Sequence, residues 1–210
     1  MPNWPSRSIS RLVVVGLAMA LALALPGSTE ASTFNELQKL IASDAQIHDA
    51  FGHSVAISGD TAVVGANAGG RHVDVVYIFG RSQGGTDNWG EVRKLTASDA
   101  QADDEFGVSV AVSGDTTVIG ASGHEAAVGD RTGAAYIFRR DEGGSGNWGE
   151  VKKLIASDAQ ANDRFGSSVA ISGDSVIVGA SREDAGGLSA GAAYVFKRDD
   201  GGSDNWGEVK

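Results

Sequence analysis

The sequence predicts an all-β protein made of three four-stranded antiparallel units stacked side by side. Three observations carry that reading. A segment of about 58 residues recurs, opening as FGHSVAISGDTAVVGA from Phe51, FGVSVAVSGDTTVIGA from Phe106 and FGSSVAISGDSVIVGA from Phe165. Apolar residues in each copy follow a strand period, with no convincing helical period after residue 31. Landmark distances are constant: 15 residues from Phe to the Ala of Gly-Ala (Phe51 to Ala66), 12 from Tyr to Trp (Tyr77 to Trp89) and 17 from Trp to the next Phe (Trp89 to Phe106). A unit this short cannot bury its own apolar faces, so neighbouring units must stack.

Residues 1–31 read as an export signal. Arg7 and Arg11 precede the 14-residue apolar stretch Leu12–Leu25, Pro26-Gly27 breaks it, and Thr29-Glu30-Ala31 suits cleavage before Ser32. The stretch is shorter than the ~20 residues of a bilayer span, so no transmembrane segment is expected. Phe34 lies 17 residues before Phe51, in the register of the Trp, so 34–41 reads as an extra outer strand. Three units follow, at about 51–95, 106–154 and 165–210.

Within a unit, Ser54–Ser58 alternates, with Val55 and Ile57 on one face. The Gly59-Asp60 turn, repeated as Gly114-Asp115 and Gly173-Asp174, leads into the second strand, Thr61–Ala66. That strand is apolar without alternation, as expected if both faces are covered. The third strand carries Tyr-x-Phe (Tyr136 and Phe138 in Ala134–Phe138). The fourth, Trp148–Leu154, is charged in the manner of a protected edge. Only the distance from Ala to Tyr varies, at 11, 15 and 14 residues, which puts one tolerant loop in each unit: Asn67–Asp74, Ser122–Thr132 and Ser181–Ala190. Binding residues concentrate on such loops.

Phe-Gly opening the first strand, Gly-Ala closing the second, and Gly-Ala-Ala-Tyr-x-Phe in order resemble the FG-GAP repeat of integrin α-chain propellers and of many bacterial secreted proteins. The resemblance spans residues 34–210. It implies β-propeller blades with the first strand near the axis, and an extracellular protein- or carbohydrate-binding role. Two features depart from the integrin pattern. The two-residue Gly-Asp turn replaces the acidic calcium loop between the first two strands, and one carboxylate cannot supply six to eight oxygens. The third residue after Gly-Ala is Pro in no copy. Closed propellers use about four to eight blades, so three blades form a partial or open propeller, belong to a longer array, or close a six-blade ring by self-association.

Composition narrows the function. The chain of 210 residues has a net charge of −10 and no Cys. The sign of the charge argues against nucleic acid as a partner, and the missing cysteines exclude a disulfide framework. Each linker ahead of Phe-Gly carries two carboxylates five residues apart: Asp44 and Asp49, Asp99 and Asp104, Asp158 and Asp163. Clustered oxygens of that kind could take a calcium ion, and Asp equally caps turns without one. No acid/base pair or nucleophile stands out from the repeat pattern, so no enzyme is expected. The residues that differ between copies, namely Arg71, His72, His124, Glu125, Arg182, Glu183 and Asp184, all fall in the variable loops and read as ligand contacts or solvated tips. The expected function is that of a secreted, non-catalytic protein that binds a protein or glycan through these loops. A purely structural module, or a propeller-based enzyme, is the alternative.

Overall fold

Strand period and turn chemistry produce twelve strands in the computed structural model, which describes residues 36–67, 73–126 and 130–209. The first sheet contains β1 (Phe51–Ser58), β2 (Thr61–Ala66), β3 (Val75–Gly80) and β4 (Gly90–Leu95). The second contains β5 (Phe106–Ser113), β6 (Thr116–Ala121), β7 (Ala134–Arg139) and β8 (Gly149–Leu154). The third contains β9 (Phe165–Ser172), β10 (Ser175–Ala180), β11 (Ala192–Lys197) and β12 (Gly207–Glu208). Every sheet is an antiparallel meander in chain order, and no helix occurs among the described residues. This is an open, propeller-like array of blades. The first strands sit innermost, with β5 packed against β1 and β2, and β9 against β5 and β6.

Each first strand begins at the Phe itself, three residues before the alternating run. A bulge between Phe51 and Ser54, and again between Phe106 and Ser109, absorbs the extra residues. The glycine after the Phe makes the bulge possible, since Gly52, Gly107 and Gly166 have φ of 91°, 83° and 89°. The Gly-Asp turns place Gly59, Gly114 and Gly173 near φ 55°, as a tight hairpin requires.

Blade-to-blade contact is closest where Phe-Gly meets Gly-Ala of the preceding blade. A Cβ on Gly65 would lie 2.3 Å from the carbonyl oxygen of Gly107, and one on Gly120 would lie 2.0 Å from that of Gly166. Ser54 Oγ donates to the Gly107 carbonyl at 2.6 Å, and Ser109 Oγ donates to that of Gly166 at 2.8 Å. At the other end of the strands, Gly114 N donates to Ser58 Oγ at 3.2 Å and Gly173 N to Ser113 Oγ at 3.3 Å. The apolar core fills the space between. Val63, Val76 and Ile78 of the first blade pack with Phe106, Ile119, Tyr136 and Phe138 of the second. Val118, Ala135 and Ile137 of the second pack with Phe165, Val178 and Phe196 of the third.

Each Phe of Phe-Gly stands edge-on to two rings of its own blade. Phe106 is 5.7 Å from Tyr136 and 6.1 Å from Phe138, and Phe51 and Phe165 repeat the arrangement. Edge-to-face pairs favour the ring quadrupoles. Arg81, Arg140 and Arg198 lie over Trp89, Trp148 and Trp206 at 5.4, 5.3 and 5.1 Å. Each also pairs with the Asp of the Gly-Asp turn, Asp60, Asp115 or Asp174, at 3.1, 2.8 and 3.1 Å. That carboxylate therefore anchors a cation–π clamp under the blade.

Two boundaries differ from the sequence reading. The fourth strands begin one residue after the Trp, because Trp148 and Trp206 adopt φ of 52° and 51° in closing the preceding loop. Of the strand expected over 34–41, Phe34 lies outside the described residues, and 36–41 form no ladder. This segment is held by side chains instead. Gln38 Nε2 donates to the Trp89 carbonyl at 2.8 Å, Trp89 N donates to Gln38 Oε1 at 2.7 Å, and Leu40 and Ala42 pack on Tyr77 and Phe79. The export signal expected over 1–31 also lies outside the described residues.

Truncating a ring at an internal blade contact should cost more than truncating the same ring at the exposed end. Phe106→Ala is expected to lose ~3–5 kcal/mol in urea unfolding, the range for a fully buried Phe. Phe51→Ala, at a half-buried site, should lose clearly less. Equal losses would contradict the packing described.

Candidate functional site

The meander places both kinds of candidate residue at one end of the array. Second strands run toward this end and the variable loops connect them to the third strands. The linkers from each fourth strand to the next first strand cross the same end. Backbone bonds join the two features: Gly123 N donates to the Asp104 carbonyl at 3.0 Å and Arg182 N to that of Asp163 at 3.1 Å. Phe165 N donates to the Thr132 carbonyl of the preceding blade at 2.9 Å, so the linker is stitched between two successive loops.

Protein donors occupy the paired aspartates. The first of each pair accepts the hydroxyl of the third-strand tyrosine: Tyr77 to Asp44 at 2.7 Å, Tyr136 to Asp99 at 2.8 Å and Tyr194 to Asp158 at 2.8 Å. Lys94 also pairs with Asp44, and Lys153 Nζ lies 2.7 Å from Asp99. The second of each pair closes its linker turn, as Asp49, Asp104 and Asp163 accept the backbone N–H of Gln46, Gln101 and Gln160 at 2.6, 2.7 and 2.6 Å. These partners account for the spacing of five without an ion. Among the described residues, no three acidic or histidine side chains converge as a cation's ligand set.

Electrostatics follow from these contacts. Burial pushes the Tyr136 hydroxyl well above the ordinary tyrosine range, and the Asp99 carboxylate adds to the shift. Tyr77 and Tyr194 move the same way for the same reasons. Burial works upward on the Asp99 carboxyl too, but the Lys153 and Tyr136 hydrogen bonds outweigh it and hold the group below the ordinary aspartate range. Asp44 is likewise lowered, by Lys94 first and Tyr77 second.

The frame repeats but its contents differ. In the first blade Asp44, Asp49, Val73, Tyr77 and Lys94 border a cleft of about 160 Å³. In the second, the imidazole of His124 is 3% exposed and wedged among the same groups. Its Nδ1 is 3.3 Å from Asp104 and 3.4 Å from the Tyr136 hydroxyl, and its Nε2 is 2.6 Å from Lys153 Nζ. In the third, Glu183 is equally buried and accepts Ala185 N at 2.8 Å. His124 and Glu183 are thus not solvated tips, because the third residue after Gly-Ala turns inward against the linker. Arg182 and Asp184 are exposed, and Asp184 accepts Ser189 N at 2.5 Å. Glu125 is half-buried, whereas Arg71 and His72 lie outside the described residues.

Sequence reasoning missed the Tyr and Lys partners of the aspartates. The signal was available, since Tyr77, Tyr136 and Tyr194 recur in register, as do Lys94 and Lys153. The same tyrosines also pack as rings in the core, so their recurrence alone does not reveal a hydrogen-bonding role.

This stacked frame with variable ends defines a β-propeller-type repeat module. The chain belongs to the FG-GAP repeat family, whose model matches residues 34–79, 89–138 and 148–196. The segments 89–138 and 148–196 each start at the Trp that precedes a fourth strand and end on the third strand of the next blade, so the sequence repeat straddles two sheets. No curated protein matches the chain. Among the described residues, no helix is long and apolar enough to cross a membrane.

The depressed Asp99 sets the sign of a pH effect. A carboxyl with a lower pKa when folded adds stability above about pH 4 and loses it as pH falls through the folded value. Asp99→Asn should therefore cost about 1 kcal/mol at pH 7, and its stability difference from wild type should shrink below about pH 4. Urea unfolding across pH 2.5–7 measures this, and a difference independent of pH would contradict the assignment.

Proposed function

We propose that the protein acts outside the cytoplasm as a non-catalytic binding module that takes a protein or glycan ligand on the end of the array bearing the variable loops. The observation that carries this reading is the contrast between one frame and three fillings: a cleft in the first blade, His124 in the second and Glu183 in the third. A purely structural repeat needs the frame alone. Repeats of this family generally build non-catalytic modules, and the local chemistry agrees. The tyrosine hydroxyls are held protonated and hydrogen-bonded, Lys153 is paired with Asp99, and the strand serines donate to blade carbonyls. The residues of 1–31 support export.

The cleft of the first blade is bordered by the Asp44 and Asp49 carboxylates and the partly exposed Lys94 ammonium. Those groups suit the hydroxyls of a sugar or the polar side chains of a peptide loop. Exposed Arg182 and Asp184 extend the same surface on the third blade.

Screening the purified protein against glycan and peptide panels should yield a ligand. Lys94→Ala and Arg182→Ala should each weaken its binding about tenfold, a loss of one good charged contact. Gln83→Ala, at the opposite end, should leave binding unchanged. A protein that binds nothing on either panel, or a ligand indifferent to the loop-end variants, would count against the reading.

A further inference from the structure

The two outer faces of the array are halves of an interface that the molecule already makes twice. On the trailing side, Val63 and Val118 are 0% exposed where the next blade covers them, but their counterpart Ile177 on the third blade is 44% exposed. Ile78 and Ile137 are at 1% and 0%, and their counterpart Val195 is at 42%. On the leading side, Val110 of the second blade is 9% exposed and its counterpart Val55 on the first blade is 69% exposed. The polar partners divide in the same way. Ser54 and Ser109 donate to a glycine carbonyl of the following blade, and Ser168 is the third such serine. Gly107 and Gly166 press on the preceding blade, while a Cβ on Gly52 would have nothing within 4 Å.

Charge shows which surface fits which. At the contact between second and third blades, Arg139 Nη1 lies 2.9 Å from Asp204 Oδ2. The equivalent residues between first and second blades are Gly80 and Gly146, so both charges are missing together. On the outer faces the equivalents are Lys197, exposed on the third blade, and Asp87, exposed on the first. Cation and carboxylate are again both present, on opposite ends of one chain. A second pairing repeats this logic: Arg140 Nη2 donates to Thr61 Oγ1 at 2.7 Å and Arg198 Nη2 reaches Thr116 Oγ1 at 3.5 Å. The remaining members of those two sets are Arg81 on the first blade and Ser175 on the third.

We infer that the trailing face of the third blade receives the leading face of the first blade of a second copy, and that two copies close into one ring of six blades. Lys197 then faces Asp87 of the other copy, Ile177 and Val195 cover its Val55 side, and the Gly52 carbonyl seats on Gly179 and Ser168. The arrangement has two identical head-to-tail contacts related by a two-fold axis, which is a closed assembly. Six blades fall within the four to eight of closed propellers, and three copies would give nine. Leu40 and Ala42 do not block the contact. They lie against the first blade as Leu95 and Ala97 do against the second and Leu154 and Ala156 against the third, so they are part of the interface. The inference stands on blade stacking and is independent of any ligand.

Sedimentation equilibrium of the purified protein tests it. The expected species has twice the mass of the single chain as purified. Lys197→Glu and Asp87→Lys should each raise the dimer dissociation constant ~10-fold, since each reversal acts at both contacts. Combining them should restore association by reversing the pair. Ile177→Asp, at an exposed position in the single chain, should give a folded monomer with an unchanged far-ultraviolet spectrum. A wild-type monomer, an open-ended polymer, or a double variant no tighter than the single ones would overturn the proposal.

Discussion

One close approach organises the molecule: the carbonyl of Phe-Gly in one blade rests on the Gly of Gly-Ala in the blade before it. Neither glycine tolerates substitution on this account, for different reasons. The first needs a positive φ to turn its carbonyl out of the strand, as at Gly107 and Gly166. The second needs an empty Cβ position, as at Gly65 and Gly120. Serine two residues after the first glycine gives the carbonyl of the next blade a donor, so a polar group pressed into an apolar seam is satisfied. A four-residue signature is thereby a description of a contact between units.

The seam determines how the rest is divided. Rings and aliphatic side chains fill the space beside it, and the Arg–Asp–Trp clamp holds the turn end of each blade. At the opposite end, Tyr–Asp bonds tie each linker to the third strand. With both ends fixed by repeated contacts, the variable loops can change length and content without disturbing the stack. The same periodicity leaves the first and last blades with uncovered faces. Any account of the chain in solution has to say what meets Ile177 and Val55.

Much of the fold was legible because β-structure repeated three times averages out local ambiguity. The strand period, the Gly-Asp turns and the constant Phe-to-Ala distance located the sheets. Burial on both faces of the second strand was also legible, and it holds for β2 and β6, whereas β10 exposes Ser175 and Ile177. The 34–41 segment misled because register says which slot a strand would fill and not whether a partner strand stands beside it. The site was less legible. Asp44 and Asp49 suggest a cation from sequence, because the Tyr and Lys that engage the first aspartate lie 33 and 50 residues away. His124 and Glu183 looked like loop tips, since nothing local shows that the third residue after Gly-Ala folds back under the loop.

The most direct test of the glycine–carbonyl seam is the unfolding free energy of Gly120→Ala in a Ser109→Ala background. That background removes the Ser109 hydroxyl, which would lie 2.3 Å from the new methyl, and leaves the Gly166 carbonyl at 2.0 Å as the obstacle. Gly120 has an ordinary strand backbone, so the substitution adds no conformational strain of its own. The account predicts a loss of ~2–3 kcal/mol or more relative to Ser109→Ala alone, as expected for overpacking at a rigid contact. Stability within ~0.5 kcal/mol of that reference, the range of an ordinary surface substitution, would contradict it.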